Sequence, residues 1–550
     1  MYIIGISAFY HDSSVCLFKD GELIFACEEE KFSGIKHDSS FPFKVLEYIF
    51  TKYNIKKEEI ECVCYYENPK EKKKRVIQNS IKNIFKSPIH SLKSFINIVR
   101  EIDNLDGLLR NISNNIFYSE HHKSHQYYAY YSSPFEDSII LSVDGVGEFD
   151  STGVGYTTSD KINYSSISKY PHSLGLFYSA MTSYLGFKPN EGEYKVMGLA
   201  PYGSKSNYIN LLSKLITFEN NTLKCDMDKF CWDRDTKLMF NHKLIEYLNI
   251  LPRDTNEPIT IQHENLAYAI QFVYEDILFK ILNSIQTNET NLCLSGGCAY
   301  NGTANGKIYS NTNFKKLWIP LAPSDAGSSI GACINYILNN TNHTLIINPN
   351  PFLGPEYNVN ETMLIGKNFK KFNTENDIIE FITKELQTGK IIGWFRGNIE
   401  FGARALGNRS ILADSTIDGM KDRINKLIKK REGFRPFAPM VKKESQFKFF
   451  EMVEDVPYMN QIVKVKNQYV NKLKAITHID GTARVQTIYK DSPTYNLLDE
   501  YEKLTGYPIL LNTSFNIKDK TMVLTPEDAI DTFYNTDLDY LVLNNFILYK

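Results

Sequence analysis

Residues 2–30, YIIGISAFYHDSSVCLFKDGELIFACEEE, read as strand, loop, strand, turn, strand, with polar groups gathered in the first loop. Residues 138–168, SIILSVDGVGEFDSTGVGYTTSDKINYSSIS, repeat that grammar. A duplication in which each half opens on a β-hairpin, its first loop holding polar groups over a phosphate or substrate, predicts two halves around a central cleft. That is an actin-like, ribonuclease-H-like architecture.

Working outward, NLCLSGGCAYNGTANGKIY (291–309) reads as a buried strand, a Gly-Gly turn and a helix start, so Gly296 and Gly297 can present backbone N–H groups to phosphate. SDAGSSIGA (324–332) opens another helix. Residues 339–362, rich in Asn and Pro and without a period, place a boundary near residue 350. Two domains are expected, 1–350 and 351–550. In the second, helix-like and strand-like segments alternate (DIIEFITKELQTGK, then IIGWF), giving an α/β domain whose last motif is GYPILLNTSFN.

A chain of 550 residues is too long for one core. Its net charge of -2 argues against a large non-specific nucleic-acid surface. The N-terminus lacks a basic n-region and a long apolar run. No stretch approaches the roughly 18 consecutive apolar residues of a membrane span. No nucleic-acid or membrane partner is therefore expected. The nine cysteines are odd in number and form no CxxC pair, which predicts buried free thiols in a reducing cytoplasm.

Two segments carry chemistry. Arg396, Arg404 and Arg409 in RGNIEFGARALGNRSILAD, then Arg423, and Arg431 and Arg435 in KKREGFRPFAP, sit in a frame where glycines and buried-type residues alternate with charge. Guanidinium groups on short hinged loops suit a polyanion such as a nucleotide triphosphate or an acyl phosphate. In SEHHKSH (119–125), His121 and His125 share a helix face while His122 points elsewhere; such a pair is either a metal motif or two unrelated histidines. Asp144 in SVDG and Asp325 in SDAG are candidate carboxylate partners. Two imidazoles with two carboxylates favour iron, manganese or zinc. His11-Asp12 and Lys36-His37-Asp38 are polar loop clusters, readable as turn chemistry or as a base or clamp for a transferred group. The run Cys27–Lys31 reads as a solvated charge run.

Taken together, YHDSS, HHKSH, VDGVGE, GEYKVMGLAPYG, LSGGCAYNGTANGK and SDAGSSIGA, followed by EFGARALGNRSILAD, REGFRPFAP, THIDGTARVQT and LLNTSFN, resemble the O-carbamoyltransferase family. That family includes nodulation-factor, aminoglycoside and cephem carbamoyltransferases. The resemblance implies a YrdC-like C-terminal domain that joins the carbamoyl unit of carbamoyl phosphate to ATP as carbamoyl adenylate. It also implies an actin-like N-terminal domain that passes the unit to a hydroxyl of a small molecule. It implies Fe2+-type ligation by His121, His125, Asp144 and Asp325, and catalytic or carbamoyl-contacting roles for His11 and Lys36. Nucleotide and carbamoyl phosphate contacts are implied for Arg404, Arg409, Arg431, Arg435, His478, Arg484, Asn512, Ser514 and Asn516, alongside Gly296 and Gly297.

Three positions depart from the family pattern: Ala403, Gly433 and Asp519-Lys520-Thr521. They are expected to adjust loop conformation more than chemistry. Two other readings stand beside this one. A tRNA threonylcarbamoyl-type enzyme needs a basic surface that the net charge does not favour. A non-catalytic nucleotide-binding regulator has no use for HHKSH, Asp144 and Asp325. The acceptor is not legible, and a homodimer stays open.

Overall fold

Strands of β-branched and aliphatic residues buried along almost their whole length belong in the middle of sheets covered on both faces. Tyr2–Ser7 (β1) and Ile139–Val143 (β6) are such strands. The computed structural model describes residues 1–158, 161–235 and 238–550. Among these, β1 is flanked by its hairpin partner Ser14–Lys19 (β2), then by Glu22–Glu28 (β3), and on the other side by Ile60–Tyr65 (β4) and Ile116–Tyr118 (β5). β6 is flanked in the same way by Asp150–Thr158 (β7), Lys161–Lys169 (β8), Asn291–Ser295 (β9) and Lys316–Trp318 (β10).

Both sheets thus have the order third, second, first, fourth, fifth, with an antiparallel hairpin on one side and parallel pairing on the other. This repeated topology is the actin-like duplication that the two hairpins predict. Four helices of this unit matter below: Pro69–Asn83 (α1), Pro88–Ile112 (α2), His121–Tyr131 (α3) and Asp325–Asn340 (α4). Helix α4 packs on α3 and on β1. At Gly331 the approach is so close that a Cβ would lie 1.7 Å from the Ser124 carbonyl oxygen. Only glycine permits that crossing, which brings the start of α4 beside His125.

The chain forms two compact units, Met1–Ala26 with Ser39–Asn301 and Lys307–Pro349, and Cys27–Asp38 with Gly302–Gly306 and Asn350–Lys550. The boundary expected near residue 350 is therefore crossed by two short earlier segments. The second unit is built on an eight-stranded mixed sheet whose central strands, Ile392–Phe395 (β11), Arg409–Asp414 (β12), Ala438–Lys442 (β13) and Ile509–Ser514 (β14), run in the order β11-β12-β14-β13. Alternate residues feed two cores. Phe395, Ile411 and Leu511 enter one, and Trp394, Leu412 and Leu510 the other.

Candidate functional site

In the first unit four side chains converge from three element ends. His121 and His125 occupy the first turns of α3, Asp144 follows β6 directly, and Asp325 is the first residue of α4. All four are buried, and one donor atom from each lies within 4.8 Å of the others. Asp144 Oδ2 is 2.9 Å from His121 Nε2 and 3.2 Å from His125 Nε2, and the two Nε2 atoms face each other at 3.2 Å. Asp325 Oδ1 lies 3.3 Å from His125 Nε2 and 3.6 Å from His121 Nε2.

The surroundings fix these groups. Asp144 Oδ1 accepts from the amides of Gly145 (2.8 Å) and Gly297 (3.3 Å), which turns Oδ2 toward the imidazoles. Gly296 sits at φ +87 with its Cα against β6, where a Cβ would lie 2.2 Å from the Val143 oxygen. The glycine pair therefore positions Asp144; contact with phosphate is not needed to explain it. His125 Nδ1 bonds Ser328 Oγ at 3.0 Å. Glu148 Oε1 accepts from the His121 amide at 2.9 Å and closes the N-terminus of α3. His122 points away, as its spacing predicts, bonded to Ser142 Oγ and the Asp150 oxygen. Burial and then the neighbouring His121 and His125 hold its pKa down to about 3.

Burial opposes charge on His121, yet Asp325, Asp144 and Glu148 overcome it and raise the pKa to about 9. Buried carboxylates facing imidazoles demand positive charge, either as protons or as a cation. Neither oxygen of Asp325 has a hydrogen-bond partner among the described residues, although the side chain is fully buried. Two nitrogens and two carboxylates aimed at one point, with outer bonds orienting them, fit a divalent metal. His11 borders this cluster, its Nε2 4.0 Å from Asp325 Oδ2 and its Nδ1 3.1 Å from Asp12 Oδ2. Against the opposing effect of burial, the Asp12 bond and Asp325 lift its pKa to about 10.

The second unit gathers several cations around Lys429 and Arg484. Lys429, on a single turn of π-helix over Ile424–Lys429, is buried, and its ammonium group donates to Ser514 O, Ser514 Oγ (3.2 Å), Asn516 O (3.0 Å) and Asn516 Oδ1 (2.6 Å). Burial, then Arg431, Arg435 and Lys36, push its pKa well below the usual lysine range. Burial, then Arg404, Arg431 and Arg435, act on Arg484 in the same sense. For buried Lys429 and half-buried Arg484 the leading charged influences are all positive. Lys36, Arg404, Lys429, Arg431, Arg435 and Arg484 thus gather positive charge in one place, an arrangement that favours an anion.

The six arginines of the sequence motif do not act alike. Arg396 pairs with Glu375 at 2.9 Å, and Arg423 bonds the Gly389 oxygen and Asp539. Arg409, expected to grip an anion, is fully buried with its Nη atoms on the carbonyls of Arg396, Gly397 and Asn408, and its guanidinium lies 3.6 Å from the Phe395 ring centroid. It shapes the loop. Asn512 likewise donates to Ala405 O and Gln486 Oε1, supporting the loop that bears Arg404. Ser514 and Asn516 hold Lys429, and His478 Nε2 lies 3.3 Å from the Phe434 oxygen beside Arg435.

Other expectations change as well. Lys36, expected within the 1–350 domain, belongs to the second unit. The run at Cys27–Lys31 is not solvated: Lys31 is buried against Glu28 at 3.1 Å and donates to the oxygens of Glu400 and Gly402, while Glu28 accepts from the Gly402 amide. Glu400 was not singled out by sequence, yet its Oε1 accepts from the amides of Leu406, Asn408 and Arg409 and forms the hub of the turn. Lys429 was also missed, because the basic run Lys429-Lys430-Arg431 looks solvated. Its signal was Ile424 and Ile428, the apolar residues that turn the segment inward. All nine cysteines are free, eight of them buried.

Residues 2–334 match the carbamoyltransferase N-terminus family model and residues 383–550 the carbamoyltransferase C-terminus model. The uncharacterized protein sll1178 of Synechocystis is 34% identical across 100% of this chain and 97% of its own length. Nodulation protein NolNO of Sinorhizobium fredii is 32% identical over 99% of this chain and 80% of its own, and NolO of Bradyrhizobium diazoefficiens 37% over 78% of each. Among solved structures, HypF of T. kodakarensis aligns with 62% of this chain and 48% of its own at 11% identity, with a TM-score of 0.28. Component A of (R)-2-hydroxyglutaryl-CoA dehydratase from Acidaminococcus fermentans aligns with 61% of this chain and 97% of its own at 12% identity and a TM-score of 0.35. With both family models matched in order over most of its length, and with relatives at this identity, the chain belongs to the carbamoyltransferase family, as an enzyme of carbamoyl transfer.

Proposed function

We propose that this carbamoyltransferase is an ATP-dependent O-carbamoyltransferase that draws on carbamoyl phosphate and modifies a hydroxyl of a small molecule. The observation that carries the reading is the gathering of Lys36, Arg404, Arg431 and Arg435 around Lys429 and Arg484, which suits a ligand with several negative charges. Carbamoyl phosphate and ATP have that character. In the first half-reaction water cleaves carbamoyl phosphate to carbamate and phosphate, and a carbamate oxygen attacks the α-phosphorus of ATP, releasing pyrophosphate. Arg404, Arg431, Arg435 and Arg484 offset charge growing on the phosphate oxygens, and Lys429 is held ready to donate by Ser514 and Asn516.

In the second half-reaction an acceptor hydroxyl attacks the carbamoyl carbon of the adenylate, AMP leaves, and the hydroxyl proton goes to a base. His11, held by Asp12 beside the four-donor cluster and charged there, is suited to contact the carbamoyl group as a hydrogen-bond donor. A divalent ion such as Fe2+ held by His121, His125, Asp144 and Asp325 would supply Lewis acidity toward phosphate and carbonyl oxygens. Glu148, Gly297 and Ser328 orient those donors.

The test is incubation of the full chain with carbamoyl phosphate and ATP, followed by phosphorus NMR. Formation of AMP, pyrophosphate and phosphate, all dependent on carbamoyl phosphate, is expected. Release of ADP, or AMP formed equally without carbamoyl phosphate, overturns the reading. Mass spectrometry of a metabolite pool treated with the enzyme then searches for the gain of one carbamoyl group on a hydroxyl.

A further inference from the structure

Helices α1 and α2 form a hairpin on the first unit, joined by four residues and clamped at its base, where Lys72 lies 2.9 Å from Glu101 and 2.8 Å from Glu67. Lys72 and Glu101 lie at similar distances in sequence from the connection, on either side of it, so the helices run antiparallel. From the base the hairpin buries Ile98, Leu105 and Leu109, as a helix pair on a globular unit should. Its free end does the opposite. Phe85 is 98% exposed, Ile89 72%, Ile81 66% and Leu92 62%, with Ile84 and Phe95 also open to solvent. Apolar residues this large, clustered over one hairpin end, have a use other than the core.

Charge surrounds the patch. Residues 81–96 carry three lysines, Lys82, Lys86 and Lys93, and no acidic residue, in a chain whose total charge is -2. Lys82, Lys86 and Lys93 stand among the exposed apolar side chains and form no ion pair among the described residues. We infer that the α1–α2 hairpin end is a peripheral docking surface for anionic lipid bilayers, with Phe85 and Ile89 entering the interface and the lysines meeting the headgroups. A basic, apolar end is complementary to such a surface on both counts. A second copy of the chain is a poorer occupant, because a two-fold contact would set these three lysines against their own copies. No described helix is long and apolar enough to cross a membrane, and adsorption to a surface does not require one. The expectation of no membrane partner rests on the lack of a span and does not address this mode.

The experiment is flotation of the full chain with phosphatidylcholine vesicles, with and without phosphatidylglycerol, at two salt concentrations. The chain is expected to float with anionic vesicles only, less at high salt. Phe85→Ser with Ile89→Ser, and separately Lys82→Glu with Lys86→Glu and Lys93→Glu, should each weaken partitioning at least about tenfold. An unchanged thermal transition and unchanged AMP release from carbamoyl phosphate and ATP show that the variants are folded. Failure of the parent chain to bind anionic vesicles, or equal binding by both variants, overturns the assignment. So does light scattering that finds a dimer in the parent, no vesicle binding, and a monomer in the Phe85→Ser variant; the patch would then serve self-association.

Discussion

The two charged clusters solve opposite problems. Around His121, His125, Asp144 and Asp325 the protein supplies both signs, so the unliganded site can balance itself with protons on the imidazoles. Around Lys429 and Arg484 cations predominate, with Glu432 beside Arg435 as a counter-charge, and a guanidinium group gives up its proton far less readily than an imidazole. On the proposed function the first cluster would exchange protons for a cation, and the second would lose like-charge crowding to an anion, the arrangement expected where binding strength, not fold stability, has shaped the residues.

The sharpest way to break this comparison is to ask whether each cluster serves its own half-reaction. Arg435→Ala should lower AMP and pyrophosphate formation by more than about 100-fold, corresponding to roughly 3 kcal/mol for a phosphate left without its charged partner in a buried site. It should leave the metal content unchanged. His121→Ala should show the reverse pattern: elemental analysis finds bound metal lost and acceptor carbamoylation abolished, while pyrophosphate release persists. If His121→Ala keeps its metal, the four-donor assignment fails; if Arg435→Ala releases pyrophosphate at the parent rate, the anion site lies elsewhere.

Gly296→Ala comes next in size. The residue lies at φ +87 and its new methyl group would stand 2.2 Å from the Val143 oxygen, so both backbone strain and overlap act, at a cost of several kcal/mol. Because Val143 precedes Asp144, the displacement passes straight to the carboxylate. A lowered melting temperature together with weakened metal binding is expected; loss of nucleotide binding with intact metal would return Gly296 to a phosphate-contacting role.

How much of this was legible differs between the clusters in an instructive way. The four-donor set was readable because local rules give it: helical spacing puts His121 and His125 on one face, and Asp144 and Asp325 mark a strand end and a helix start. The duplicated hairpins were readable for the same reason. The anion site was only half legible. Sequence marked a band of arginines but not which guanidinium groups turn toward the loop and which toward the ligand. Arg409 and Arg404 are five residues apart on one loop, and only the carbonyls of Arg396 and Gly397, brought near by the turn around Glu400, decide that Arg409 is structural. Lys31 and Glu28 were misread because their burial comes from residues 400–402, far along the chain.

A more moderate effect tests the like-charge crowding. Arg484→Gln should raise the thermal stability of the ligand-free protein by about 1–2 kcal/mol, as relief of like-charge crowding commonly does, while weakening pyrophosphate binding. Lys429 gives the same idea a pH dependence. Its folded pKa lies below its unfolded value, so between the two the unfolded chain binds the extra proton and folding stability rises with pH. That gain should end near pH 10.4, the ordinary lysine value. Pyrophosphate restores the charged form, so calorimetry in two buffers of different ionisation enthalpy should register proton uptake on binding at alkaline pH. Binding without proton uptake, in a protein whose stability is flat toward alkaline pH, would leave Lys429 an ordinary charged lysine.

The smallest expected effect concerns Gly433, one of the three departures from the family pattern, and it separates loop tuning from chemistry. Gly433 lies outside the left-handed region, and a Cβ built there meets no atom within 4 Å. Neither strain nor overlap opposes a side chain. Gly433→Ala should therefore change stability by no more than about 0.5 kcal/mol, the range of surface substitutions that touch nothing. Its neighbours on the loop are Arg431, which bonds Asn425 Oδ1 at 2.7 Å, and Arg435, which lies 3.5 Å from Glu432. Those anchors act on either side of the glycine and do not depend on its freedom. Steady-state AMP release should stay within about twofold of the parent, less than about 0.5 kcal/mol of barrier. A tenfold change in KM for carbamoyl phosphate would show instead that the glycine lets the Arg431–Arg435 loop move on binding, and that the second cluster is assembled by its anion.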